Sequence, residues 1–207
     1  MIIKKGTIYI VLMMLFVTFT SIQIAEAKEN KTEGHYISLK VMQTNLEGDG
    51  KFSSKNEKDI NFALGYDYAW NFDSFFLTTG ADYTKMDNTI DGDGSYAGKE
   101  FSLGDRIAVS AGIGKDFDNF NLYSKVVFGA MHYYEHNATN DNTKYSDWNG
   151  GLGFAFGTNI PISEKILIGL EYEMNENEVR KISNNSAGTG TNVFEYQMIK
   201  TTLSYRF

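Results

Sequence analysis

Nine charged side chains fall at alternating positions within otherwise apolar or small-residue stretches: Lys40, Asp67, Asp82, Arg106, Lys125, Glu171, Glu173, Lys200 and Arg206. Five are basic and four acidic, so a surface carrying all of them would be nearly neutral although the whole chain has a formal charge of −7. Ion pairing is the chemistry open to such a set, because charges withdrawn from water persist only when partnered. Other chemistry is thinly represented. The three histidines have no metal-ligand spacing, and with no cysteine the chain has neither disulfides nor a thiol nucleophile. "GLGFAFG" at 151–157 lacks the spacing and the following helix of a phosphate-binding loop. "DGDGS" at 91–95 offers oxygen ligands but lacks the sixth-position glycine and closing glutamate of a calcium hand, so it reads as a turn. No cofactor is expected. The acidic balance also argues against nucleic acid as a partner.

The elements that would position the nine charges are strands. In "INFALGYDYAW", residues 60–70, every even position is bulky and every odd position small or polar. Period-two reading gives eight such segments, at 35–42, 60–70, 75–84, 106–117, 122–134, 150–160, 166–174 and 193–207. The connections alternate between short, such as "NFDS", and long and polar, at 43–59, 85–105, 135–149 and 175–192. An even number of roughly ten-residue strands with alternating connections is the pattern of a membrane barrel. A soluble up-and-down barrel is the competing reading. It would leave the bulky, nearly uncharged face exposed to water, and the small polar face could not make a core. The bulky residues are therefore assigned to lipid and the nine charges to the lumen. Trp70, Phe72, Phe117, Phe120, Tyr205 and Phe207 form one expected interfacial girdle, and Tyr83, Tyr133, Tyr134 and Trp148 belong to the other.

The ends agree with export. Lys4 and Lys5 precede an uncharged apolar run, and Ala25-Glu26-Ala27 offers a small-x-small cleavage site, so residues 1–27 read as a signal peptide and 28–207 as a single barrel domain. Removing Lys4, Lys5 and Glu26 takes the formal charge from −7 to −8. One proline, 20 glycines, 15 Phe and 13 Tyr favour strands over helices.

The chain ends in "KTTLSYRF", with Leu203, Tyr205 and Phe207 alternating up to a terminal aromatic. In this ending and in its strand pattern it resembles the small outer-membrane barrels: the transmembrane domain of outer-membrane protein A, the X-type protein and the opacity-like surface proteins. Thr202 stands where members often carry glycine. The resemblance implies an all-β, eight-stranded antiparallel up-and-down barrel in the outer membrane of a Gram-negative bacterium. Its implied partners are outer-membrane lipid, the outer-membrane assembly machinery that recognises the terminal residues, and a host or neighbouring-cell surface ligand. The implied role is a non-enzymatic surface protein that contributes to envelope structure and to adhesion through four long loops. A narrow channel for ions or small solutes is the alternative.

Some barrels of this size are lipid A deacylases, which use a His with a Ser two positions later. Here "MHYYEHNATN" places Tyr134 after His132 and Ala138 after His136, so that nucleophile is missing. Glu171, Lys200 and Lys40 fall at comparable heights on neighbouring strands, and an ion-paired plug across the lumen is expected.

Overall fold

The computed structural model describes residues 32–48, 58–91, 98–137, 143–179 and 192–207. Residues 1–27, read above as a signal peptide, lie outside the described residues, as do Phe52, Tyr96 and most of "DGDGS". The chain forms β1 (Gly34–Gly48), β2 (Lys58–Phe72), β3 (Phe75–Lys85), β4 (Asn88–Asp91), β5 (Lys99–Asp116), β6 (Asn121–Asn137), β7 (Thr143–Pro161), β8 (Ile166–Val179) and β9 (Asn192–Arg206). Each strand pairs antiparallel with its neighbours, β9 returns to β1, and β3 pairs with β5. β4 continues the line of β3 after a break at Met86 and Asp87, and both pair with β5. Nine segments therefore build eight staves of a closed barrel. From Lys85 down to the short turns every stave is paired on both sides, as a lipid environment requires; above it β4 pairs with β5 alone.

Local sequence explains the break. Across from it Asn61 supplies side-chain hydrogen bonds where backbone pairing between β2 and β3 has ended: Asp87 N donates to Asn61 Oδ1 at 3.3 Å, and Asn61 Nδ2 donates to Asn88 Oδ1 at 2.8 Å and Thr44 Oγ1 at 2.9 Å. At the opposite end the connections are tight. Asp73 adopts a positive φ of 24° in a two-residue turn, a conformation aspartate tolerates. The flanking rings stack, Phe72 on Phe75 at 5.2 Å and Phe117 on Phe120 at 4.8 Å.

Ile60, Phe62, Leu64, Tyr66 and Trp70 are exposed on the outer wall while Asn61, Ala63, Gly65 and Ala69 are buried inside. The faces of "INFALGYDYAW" are thus those of a membrane barrel. Two expectations need correction. The strands continue well into the stretches read as loops, since β1 runs through Gly48 and β4 with the start of β5 occupies part of 85–105. In addition, Tyr133 belongs to no girdle: it is buried in the lumen and stacks on Phe101 at 5.9 Å.

Both corrections have one physical cause. Above the apolar band the wall stays hydrogen-bonded but enters water, so the polarity of its faces inverts. Gln43, Lys85, Asp87, Ser102 and Gln197 alternate with the buried positions there. Met42, Met86, Phe101, Leu103, Met131, Tyr133, Tyr196 and Met198 pack inside with Ala63 as an ordinary hydrophobic core. An alternation read for lipid alone misses this switch, because the period is unchanged and only its sign reverses.

Candidate functional sites in the lumen and on the outer wall

Below that core the lumen holds charge. Lys200, on β9, donates to Glu171 Oε1 at 2.8 Å and to Glu173, both on β8. Arg106, on β5, crosses the interior: its Nη2 reaches Glu173, its Nη1 lies 3.2 Å from Asp82 on β3, and its Nε donates to the Tyr196 hydroxyl at 3.1 Å. Lys40 Nζ lies 3.5 Å from Asp82 Oδ2. Lys125, on β6, pairs with Asp67 at 3.0 Å and Glu171 at 3.7 Å, and Tyr123 donates to Glu171 at 3.0 Å. Eight of the nine charges named from sequence meet in one connected network. Arg206 stands apart, donating to the Glu164 carbonyl beside the β7–β8 turn. Lys40 reaches Asp82, whereas Lys200 alone bridges Glu171 and Glu173, which differs from the simple row Glu171, Lys200, Lys40.

Small residues make room for these chains. A Cβ on Gly80 would stand 2.3 Å from Asp67 Oδ1, and one on Gly129 would stand 2.9 Å from Arg106 Nε. Gly80 and Gly129 are thus spaces occupied by charged chains of neighbouring strands. Tyr196 and Tyr123 join the network although sequence reading did not single them out. A phenol two positions from a buried charge on the same strand face is the signal that could have found Tyr123, beside Lys125.

Below the network lies a cavity of about 50 Å³ lined by Lys40, Asp67, Lys125 and Glu171 above and by Tyr36 and Leu167 below. Tyr36, Ala69, Phe76 and Leu167 form a second apolar cluster beneath it. A strap then crosses the short-turn end: Thr32 donates through its backbone N at 2.9 Å and through its hydroxyl to the Asp116 carboxylate, which also accepts from Asn71 Nδ2 at 2.8 Å. Asn121 Nδ2 in turn donates to Thr32 Oγ1 at 2.9 Å. From one end to the other the interior is occupied in turn by strap, apolar cluster, ion network and apolar core.

The outer wall carries a second group of polar residues. His132 on β6 is held through both ring nitrogens, with the Tyr134 hydroxyl 2.6 Å from Nδ1 and the Ser146 hydroxyl of β7 2.7 Å from Nε2. Trp148 lies flat against the imidazole, 5.0 Å between centroids and 3° between planes. Sequence reading looked for a serine two positions along the strand of His132. The serine comes instead from the neighbouring strand, because the β6–β7 register sets His132 opposite Trp148 and Tyr134 opposite Ser146. These pairs belong to an unbroken register from Asn121↔Asn159 to Glu135↔Tyr145, and the shift between Glu135 and His136 lies beyond them, toward the long connection. Among the described residues no group of His, Asp and Glu could hold a metal ion. Leu203, Tyr205 and Phe207 face outward on the last stave.

Comparison with known proteins agrees with this geometry. Residues 12–207 match the family described as outer membrane protein beta-barrel domain. Among solved structures the chain is similar to Neisserial surface protein A, with a TM-score of 0.57 and 13% identity over 84% of this chain and 98% of that one. It is also similar to Ail, the attachment invasion locus protein of Yersinia pestis, with a TM-score of 0.55 and 17% identity over 84% of this chain and 99% of that one. A structure of Ail in complex with the heparin analogue sucrose octasulfate gives a TM-score of 0.55 at 16% identity, covering 84% of this chain and 99% of that one. At these identities the likeness shows a shared fold. No curated protein sequence matches the chain.

Proposed function

Because the chain belongs to the outer membrane protein β-barrel family and stands in the bacterial outer membrane, we propose that it is a sealed surface scaffold. Its protruding end recognises a host or neighbouring-cell ligand, and its wall contributes to envelope structure. The observation that carries this reading is the filled lumen. Lys200, with two carboxylate partners, and Arg106, with carboxylate and phenol partners, occupy the middle of the barrel, while an apolar core closes it above and a strap below. An eight-stranded interior is just wide enough for side chains to fill, so transport has no path unless this packing moves.

The surfaces left for work are those outside the bilayer. The staves extend past the apolar band, so the four connections are mounted on a rigid rim, and recognition residues concentrate on such supported loops. One similar structure, Ail, is a complex with a heparin analogue, which supports testing a sulfated glycan first. The outward Leu203, Tyr205 and Phe207 at the last stave are the residues we assign to recognition by the assembly machinery.

The test compares cells displaying the intact protein with cells displaying variants shortened within 49–57, 92–97, 138–142 and 180–191. Binding to host-cell surfaces or immobilised heparin should fall as connections are removed, with barrel assembly retained. Undiminished binding after loss of all four would overturn the recognition reading.

A further inference from the structure

We propose that a groove in the outer wall between β6 and β9 holds an ethanolamine phospholipid, with an acyl chain along its apolar side and the ammonium between Glu176 and Glu195. The inference goes beyond the recognition reading, because the groove lies on the wall and not on the connections.

The groove has a volume of about 790 Å³. Phe128 of β6, Leu152 and Phe154 of β7 and Met174 of β8 line its apolar part, and all four are exposed. Glu176 of β8 and Glu195 of β9 line its polar part. Strand register explains the change of chemistry. Phe128 stands opposite Leu152, Leu152 opposite Glu176 and Glu176 opposite Glu195, so one row crosses four staves and turns from apolar to acidic between β7 and β8. In the β1–β9 register Glu47 extends the acidic part by one more stave. The row thus crosses the upper boundary of the apolar band, where lipid headgroups lie. Met174 precedes Glu176 by two residues on the same face, a separation of about 7 Å. A lipid seated here meets carboxylates with its head and apolar side chains with its first methylenes.

The charge pattern selects the head. Residues directly opposite on neighbouring strands bring their Cβ atoms within about 5 Å, and like charges so placed repel. Glu176 and Glu195 are both exposed, and among the described residues no basic side chain pairs with either or lines the groove. A primary ammonium between the two carboxylates removes the repulsion and donates charge-assisted hydrogen bonds to both. The phosphates of lipid A would instead face these carboxylates with no cation to hold them, which is a like-charge penalty. An ethanolamine phospholipid carries one phosphate balanced by its own ammonium. Gln197, opposite Met174 in the β8–β9 register, lines the groove and offers that phosphate a neutral amide donor. A choline phospholipid has the same net charge but no N–H to give, so it should bind less well.

The test uses the full chain purified in detergent, with folding verified by heat-modifiable gel migration. Phosphatidylethanolamine, phosphatidylcholine, phosphatidylglycerol or lipid A is added in the presence of a chelator, and retained lipid is read by native mass spectrometry. Phosphatidylethanolamine should be retained about tenfold more than phosphatidylcholine, and Glu176→Gln combined with Glu195→Gln should bring that ratio near one. Phe154→Ser should lower retention of both phospholipids alike. Glu100→Gln, on β5 and three staves from β8, should leave the ratio unchanged. Equal retention of the two phospholipids by the folded barrel would overturn the proposal, as would a preference for phosphatidylglycerol or lipid A. So would a preference for phosphatidylethanolamine that survives the double substitution. Retention of lipid A that appears only when calcium is added would make the glutamate row a divalent-cation site and overturn the assignment of an ammonium.

Discussion

Lys200 and Glu171 face each other across β9 and β8, with Lys200 Nζ 2.8 Å from Glu171 Oε1, while Met198, two residues from Lys200 on the same face, is fully buried in hydrophobic contacts. One strand thus passes from an ion network to an apolar core within a single pleat. The boundary between them lies near the height at which the outer wall changes from lipid-facing to water-facing residues.

The network should behave as a coupled unit whose members differ by their number of partners. Arg106→Met and Lys200→Met each strand buried carboxylates and should destabilise the barrel by about 3–5 kcal/mol. Lys40→Met removes a single 3.5 Å contact and should cost less. Urea midpoints of the barrel in detergent, followed by gel migration, give the order; equal midpoints for all three and the unmodified protein would contradict it.

Gly129 and Arg106 should show coupling. Valine at 129 would press on the guanidinium, since even a Cβ there lies 2.9 Å from Nε, and Gly129→Val should cost about 1–3 kcal/mol. With Arg106 already replaced by Met the same change should cost much less. A double-mutant cycle on urea stability measures this interaction, and additive effects would mean that Gly129 is not spacing the cation.

The inverted polarity of the protruding wall makes neighbouring residues unequal. Met198→Ala should cost about 2–5 kcal/mol by opening a cavity in the upper core. Gln197→Ala, on the wet face, should fall within about 0.5 kcal/mol of the unmodified protein. Comparable losses at both sites would argue against a core above the bilayer.

Much of this was legible in sequence, and the limits are instructive. Strict period two assigned Ile60 to Trp70 their faces, and isolated charges at small-residue positions marked eight of the network members, because any charge on the inward face of a narrow barrel must meet another. Arg206 carried the same mark, yet it sits where the lumen opens and finds a backbone carbonyl. Tyr133 was misplaced because its neighbour Tyr134 is also aromatic, and the face of each depends on the phase of β6. The His132–Ser146 contact was hidden because strand register fixes which residues meet across strands, and the alternation within one strand does not set its register against the next.

The strap at the short-turn end should open independently of the barrel. Asp116→Ala removes the acceptor of Thr32 N and Asn71 Nδ2 and should speed hydrogen exchange at the Thr32 amide while amides in the middle of β1 stay protected. Unchanged exchange at Thr32 would show that Asp116 does not hold the strap.

Single-channel recording in a planar bilayer tests the sealed lumen most directly, with residues 28–207 refolded in detergent and barrel formation demonstrated beforehand. The filled interior predicts silence from the unmodified protein and openings only after the network is broken, as in Lys200→Met. Stable openings in the unmodified barrel would contradict the scaffold account and make the lumen charges the filter of a channel.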